Sequence, residues 1–137
     1  MNILYPVFAM TGLTFFVVAR LGFLRYLAVR RGEVDPRFFS LYRGYEEPEK
    51  LALYSRHVVN HFEAPILFYV VCIIAFITDQ SGDAVLGLAS LYVGLRYVHS
   101  YVHLTSNIVI VRFRVFVFSM ITLAALWAVV LTGVMRQ

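Results

Sequence analysis

Cysteine and charge are both scarce in this chain of 137 residues. The single cysteine, Cys72, lies in an apolar run, so an intrachain disulfide and a cysteine-based metal site are excluded. Charged residues make up only 15% of the chain, with 8 acidic residues against 12 lysines and arginines. Soluble domains carry about 25% charged residues, so this composition indicates another class of protein.

Long apolar runs account for most of the sequence, which is 61% hydrophobic with a mean hydropathy of +0.76. Four runs reach the length of about 20 residues that a membrane helix needs, at residues 3–24, 51–77, 84–104 and 109–134. They are continuous, unlike the alternating strands of an outer-membrane barrel. We therefore predict one all-α integral membrane domain over residues 1–137. The first run is predicted to be a retained span, because no basic residue precedes it as in a signal peptide.

The basic residues predict an orientation in the membrane. Most of them fall in the first connection and at its flanking helix ends: Arg20, Arg25, Arg30, Arg31, Arg37, Arg43, Lys50 and Arg56. The second connection has no lysine or arginine, and the third is followed by Arg112 and Arg114. The positive-inside rule therefore puts the first and third connections in the cytoplasm and both termini on the other side. This clustering indicates topology and membrane lipids as partners, and we predict no nucleic-acid binding.

Three polar residues interrupt the second run at helical spacing. Arg56, Asn60 and Glu63 stand at i, i+4 and i+7, within roughly 60° of one another on an ideal helix. Each is costly in hydrocarbon, so the stripe predicts a binding site or a contact with another helix. Pro65 is expected to kink this helix, which either opens a groove beside the stripe or serves packing alone.

A second polar stripe ends the third run. Its members recur at helical spacing: Arg96, His99, Ser100, His103 and Asn107. By the predicted topology, both stripes and the entrance of the fourth run at Arg112 and Arg114 lie at the cytoplasmic end. We therefore expect polar residues of three helices to converge at one depth, beneath the first connection.

One interpretation of the converging residues is a pocket for a zwitterionic ligand. Arg56, Arg96 and Arg112 supply guanidinium groups, with Arg114 as a further candidate, and guanidinium groups bind carboxylates through two parallel hydrogen bonds. Glu63 is suited to an ammonium group, and Asn60 both donates and accepts hydrogen bonds. Such a site fits a ligand with more than one carboxylate.

Two other interpretations remain open from the residues alone. Two histidine pairs have the i, i+4 spacing that lets imidazoles share a metal ion: His57/His61 and His99/His103. His57 and His61 lie about 100° or more around the helix from Glu63, and packing is the simpler role for each histidine, so we predict no metal site. In the third interpretation, an arginine pairs with Glu63 and the charges only hold the helices together.

At these residues the chain resembles the MAPEG family, the membrane-associated proteins of eicosanoid and glutathione metabolism. Arg56-x-x-x-Asn60-x-x-Glu63 is similar to the signature of the family's second helix, and residues 60–69 are similar to its bacterial form. The four runs, the chain length and the basic first connection also agree. The resemblance covers nearly the whole chain.

The third and fourth runs carry the rest of the resemblance, with Arg96-x-x-His99 followed by Arg112. The family implies a four-helix bundle that assembles as a homotrimer in the bacterial inner membrane or the endoplasmic reticulum. Glutathione, as co-substrate, would bind between adjacent protomers at the cytoplasmic end. A lipophilic small molecule would arrive from the bilayer.

The resemblance also assigns roles to residues. Five would bind glutathione: Arg56, Asn60, Glu63, Arg96 and His99. Arg112 would stand beside the thiol and act in catalysis, and His103 is a second candidate for thiol contact or for a base. A first-helix arginine contributes in some members, and Arg20 and Arg25 are the candidates.

The predicted activity is that of a glutathione transferase or peroxidase, in detoxification of lipophilic electrophiles or lipid hydroperoxides. The chain departs from the best-known members at His103, Phe113 and Phe116, where hydroxyl side chains are replaced. These changes leave the prostaglandin activity and the detail of thiol activation in question. The alternative is a non-catalytic member that binds lipid or glutathione, although the intact Arg56-Asn60-Glu63 stripe argues against it.

Overall fold

The computed structural model describes residues 2–44 and 47–136. In these residues the regular structure is helical throughout and contains no strand, as the all-α prediction requires. The helices are α1 Leu4–Arg30, α2 Phe38–Leu41, α3 Glu49–His61, α4 Ala64–Ile77, α5 Asp83–Leu104 and α6 Val109–Val134. The short helix α2 lies in the basic first connection and was not predicted.

Among the described residues, three stretches are long and apolar enough to cross a membrane. They are α1, the segment Glu49–Ile77 that contains α3 and α4, and α6, with mean hydropathies of 1.9, 1.8 and 2.4 in their most apolar windows. The 22-residue helix α5 is not one of them, because Arg96 and two histidines dilute its apolar sequence. The third of the four predicted spans therefore stays a prediction.

Hydroxyl side chains in these helices donate hydrogen bonds to backbone carbonyls of the same helix. Thr11 donates to the Val7 carbonyl at 2.8 Å, and Thr122 donates to the Phe118 carbonyl at 2.9 Å. Threonine does this with the carbonyl one turn earlier, which satisfies the hydroxyl without water. Polar residues are thus accommodated in segments that face hydrocarbon.

The second apolar run is broken into two helices. Helix α3 ends at His61 and α4 begins at Ala64, with Glu63 between them at φ −101° and ψ −93°. Pro65 stands in the first turn of α4, where its missing N–H leaves no intrahelical bond unmade. The kink expected at Pro65 is therefore present as a full break. The expectation that Arg56, Asn60 and Glu63 share one continuous helical stripe is wrong, because Glu63 lies outside both helices.

Two clusters of buried apolar side chains hold the helices together. The larger joins α1, α4, α5 and α6, and in it the rings of Phe68 and Tyr92 stack with centroids 4.8 Å apart. The smaller packs the C-terminal half of α1 and the first connection against α3, through Leu21, Phe38 and Tyr54. The large core fills the end of the molecule where α4 meets α5. Among the described residues, neither cluster includes the first turns of α6, which lie beside the polar residues at the end of α5.

Candidate functional site

A pocket of about 650 Å³ opens where α3, the end of α5 and the start of α6 meet. Its volume is in the range of small-molecule sites. The predicted site residues that line it are Arg56, Asn60, His99, His103 and Arg112. Polar groups of three helices thus converge on one cavity, as the two sequence stripes indicated.

A second, more polar cavity of about 900 Å³ adjoins the first. Leu53, Arg56 and Asn107 line both cavities. The second is bordered by Glu49 and Lys50 at the start of α3. The two cavities together form a path from the charged first connection to the site.

Arg112 is held at two points. Its Nη1 donates to Oδ1 of Asn107 at 2.6 Å, and its carbonyl oxygen accepts from Nδ1 of His99 at 3.3 Å. Because a carbonyl only accepts, the hydrogen of His99 is on Nδ1 and its Nε2 is an acceptor. In the described part of the chain, that buried Nε2 has no hydrogen-bond partner.

Four imidazole rings pack together at the pocket, and two of them, those of His99 and His103, line it. The ring of His57 is central, with its centroid 4.6 Å from that of His103, 4.8 Å from His61 and 5.9 Å from His99. These ring contacts join α3 to α5.

Hydrogen bonds occupy both ring nitrogens of His61. Nδ1 lies 3.2 Å from Oγ1 of Thr14, and Nε2 lies 3.3 Å from Oγ of Ser100. The Thr14 hydroxyl donates to the Met10 carbonyl, so Nδ1 of His61 is the donor and Nε2 the acceptor. No group of three or more His, Cys, Asp or Glu in residues 2–44 and 47–136 could hold a metal ion. The histidine pairs join helices α1, α3 and α5.

Arg96 faces the interior of the protein rather than the pocket. Its side chain is 0% exposed, and Nη2 donates to the backbone carbonyl of Asn60 at 3.1 Å. That carbonyl belongs to the last turn of α3, where carbonyls lack intrahelical partners. Arg96 therefore satisfies a backbone group that the helix break exposes. Its predicted direct contact with glutathione stays untested, and this position argues for an indirect role.

Glu63 is exposed at the break, and the residues that line the 650 Å³ pocket in the described chain do not include it. Within those residues, its carboxylate forms no ion pair with Arg56 or Arg96. Within the same residues, the interpretation of the charges as helix glue through Glu63 is therefore supported by no ion pair, only by a longer-range electrostatic interaction between Glu63 and Arg96. The exposed carboxylate is available to a ligand or another copy of the chain.

The two first-helix arginines differ in their contacts. Nη2 of Arg25 donates to Oγ of Ser55 at 3.4 Å, beside Arg56 in sequence. Its guanidinium also lies 5.3 Å from the ring centroid of Phe39. Arg20 lies over Phe23 within α1 itself, at 5.8 Å. Arg25 is therefore the arginine of α1 that joins α3 near the site.

The sequence indicated no supporting role for Asn107, and it singled out only Phe113 and Phe116 of the apolar wall. Asn107 was placed in the second stripe, but its bond to Arg112 depends on the turn between α5 and α6. The wall of the pocket consists of Leu53, Val59, Val109, Phe113 and Phe116. Apolar residues are so common in this chain that only their position in the structure distinguishes Leu53, Val59 and Val109.

A model of the MAPEG family matches residues 3–132, nearly the whole chain. No protein of curated function and no solved structure matches it.

Proposed function

Since the chain belongs to the MAPEG family of membrane-helical proteins, we propose that it is a membrane-bound glutathione transferase with peroxidase activity. Its substrates are lipophilic electrophiles or lipid hydroperoxides. The observation that carries the proposal is the pocket in which Arg56, Asn60, His99, His103 and Arg112 line one cavity beside apolar side chains. Glutathione is the co-substrate.

The polar lining complements the charges of glutathione, which carries two carboxylates, one ammonium group and a thiol. Arg56 supplies a guanidinium for a carboxylate, and Asn60 supplies an amide. The free acceptor nitrogen of His99 suits a ligand N–H. We assign the ammonium group to Glu63, whose exposed carboxylate has no ion-pair partner in the described residues.

Arg112 is the residue that we assign to thiol activation. A free thiol has a pKa of about 8.5 and stays mostly protonated at neutral pH. A guanidinium keeps its own charge and stabilises a thiolate within hydrogen-bonding reach, more strongly where water is excluded. His103, which also lines the pocket, is the second candidate for contact with the sulfur.

Two reactions follow from a bound thiolate. In conjugation, the sulfur lone pair forms a bond to an electrophilic carbon, and the leaving group departs with its bonding electrons. In peroxidation, the thiolate attacks the terminal oxygen of the hydroperoxide, and the O–O bond breaks. The sulfur becomes a sulfenic acid, and the alkoxide leaves and takes up the proton released by the thiol, as the alcohol. A second glutathione then yields the disulfide and water. The wall that includes Val109, Phe113 and Phe116 supports a lipophilic partner in either reaction.

The proposed assembly is a homotrimer of four-span protomers, with α5 as the additional span. The site then lies at the cytoplasmic end and both termini lie on the other side of the membrane. Glutathione binds between protomers, so that Glu63 reaches the ligand from a neighbouring copy. The exposure of Glu63 beside an otherwise apolar segment supports this arrangement, because an unpaired carboxylate is costly in hydrocarbon.

The test is Arg112→Leu in detergent-purified protein. Turnover with a chlorodinitrobenzene-type electrophile should fall about 100- to 1000-fold, the usual loss when a donor to a developing anion is removed. The ultraviolet absorbance of bound thiolate should disappear, while glutathione affinity should change much less. Arg114→Leu is the matched control, because Arg114 is exposed on the same helix two residues away.

Equal losses of turnover in both variants would indicate a general effect of charge at the start of α6 and would contradict the role assigned to Arg112. Wild-type protein that binds glutathione without forming thiolate or product would be a non-catalytic binding member of the family. That outcome would reject the proposed activity and retain the pocket.

A further inference from the structure

Asn107 has an unusual backbone conformation in the turn that joins α5 to α6. Its φ is +47°, in the left-handed region that asparagine and glycine adopt more readily than other residues. Its N–H donates to the Val102 carbonyl at 2.8 Å, five residues earlier. A left-handed residue with such a bond closes the C-terminus of a helix. The backbone of Asn107 therefore ends α5 and turns the chain toward α6.

The side chain of the same residue reaches forward to α6. Its Oδ1 accepts from Nη1 of Arg112 at 2.6 Å, a short charge-assisted hydrogen bond. Nδ1 of His99 in α5 donates to the backbone carbonyl of Arg112. Hydrogen bonds therefore hold both the backbone of Arg112 and one nitrogen of its guanidinium. An arginine has five N–H donors, so four remain for a ligand.

The position of Asn107 also matters for access. It lines both the 650 Å³ pocket and the 900 Å³ cavity beside it. Arg56 faces it from α3 in both cavities. A ligand that passes from the polar cavity to the apolar wall therefore passes the bonded pair of Asn107 and Arg112.

We propose that Asn107 is a positioning residue, which orients the guanidinium of Arg112 toward the thiol of the bound ligand. The inference rests on the proposed function, because it gives Arg112 a thiol to stabilise. A neutral amide oxygen suits this task. It fixes one N–H of the guanidinium and leaves the positive charge uncompensated, whereas a carboxylate would offset that charge.

The test separates the backbone role of Asn107 from its side-chain role. Asn107→Gly keeps a residue that adopts positive φ and removes the acceptor of the Arg112 bond. We expect an unchanged thermal midpoint, a raised apparent pKa of bound glutathione thiol, and turnover reduced by roughly tenfold to a hundredfold, since small misplacements cost that much. Asp79→Gly is the matched control, because Asp79 has a φ of +54° at the opposite end of α5.

A second variant, Asn107→Asp, keeps an acceptor and adds a negative charge. We expect its apparent thiol pKa to exceed that of the glycine variant, because the introduced carboxylate would compensate the guanidinium. The double variant N107G/R112L should behave like R112L alone, because a residue that acts only through Arg112 adds nothing once Arg112 is gone. Additive losses in that double variant would overturn the proposal.

The outcomes distinguish a failure of the role assigned to Asn107 from a failure of the proposed function. If R112L abolishes thiolate formation while N107G keeps the wild-type thiol pKa and turnover, Asn107 does not position Arg112 and the inference alone fails. If R112L keeps the wild-type thiol pKa, the proposed function fails and the inference fails with it. A raised thiol pKa in N107G with an unchanged Asp79→Gly control supports the inference.

Discussion

At the scale of single residues, Asn60 takes part both in the packing of Arg96 and in the lining of the pocket. The backbone carbonyl of Asn60 accepts from the buried Arg96, while the residue also lines the pocket. A substitution of the Asn60 side chain leaves the Arg96 bond intact. A substitution of Arg96 removes support from the end of α3 without removing a group from the pocket.

These two residues should therefore respond differently to substitution. Arg96→Met leaves the Asn60 carbonyl without its donor and should lower the free energy of unfolding by about 1–3 kcal/mol, with weaker glutathione binding as a secondary effect. Asn60→Ala should weaken glutathione binding with little change in stability. Thermal unfolding and glutathione titration of both variants measure the two effects. A stable Arg96→Met protein that loses only binding would contradict the supporting role and favour direct contact.

Single residues also show which parts of the site could be predicted from the sequence and which could not. Helical periodicity predicted that Arg56 and Asn60 share one face and that His99 and His103 share another, and the predicted topology put both faces at the same end of the bundle. The structure places all four residues on one cavity. The inward direction of Arg96 was not predictable, since it depends on a carbonyl that only the helix break frees. The bond from Arg112 to Asn107 depends on a left-handed turn, which periodicity does not describe.

At the scale of elements, the break between α3 and α4 separates Glu63 from the other two members of its stripe. Apolar runs predicted the helix bounds closely for α5 and α6, because hydrophobic length is a strong signal. A proline signals a kink but not its size. The sequence therefore did not predict that the helix breaks completely or that Glu63 is exposed.

Pro65→Ala restores the missing N–H and should let α3 continue into α4. Backbone amides at positions 64–66 should exchange hydrogen more slowly, and glutathione should bind about tenfold more weakly, or about 1.4 kcal/mol, as Glu63 moves. Hydrogen exchange measured by mass spectrometry reports the first effect. Pro6→Ala in the first turn of α1 is the control, since no helix precedes it in the described chain. Unchanged exchange at 64–66 would mean that contacts other than Pro65 maintain the break.

At the scale of the whole molecule, the proposed trimer makes a prediction about shared sites. If Arg112 and Glu63 of one site come from different protomers, mixing Glu63→Gln with Arg112→Leu chains restores some sites. Random one-to-one assembly brings the two intact residues together in about a quarter of interfaces. Co-expression with two affinity tags should therefore recover activity that neither variant has alone. No recovery in purified mixed assemblies would place both residues in one protomer.

The central claim is that the pocket converts glutathione to a thiolate for transfer to a lipophilic substrate. Its most direct test is a glutathione titration of detergent-purified wild-type protein, with thiolate absorbance and electrophile conjugation followed in one sample. We predict saturable thiolate formation and conjugation that saturates at the same glutathione concentrations. Absence of glutathione binding would contradict the account and leave the polar residues at this end of the helices without the ligand assigned to them.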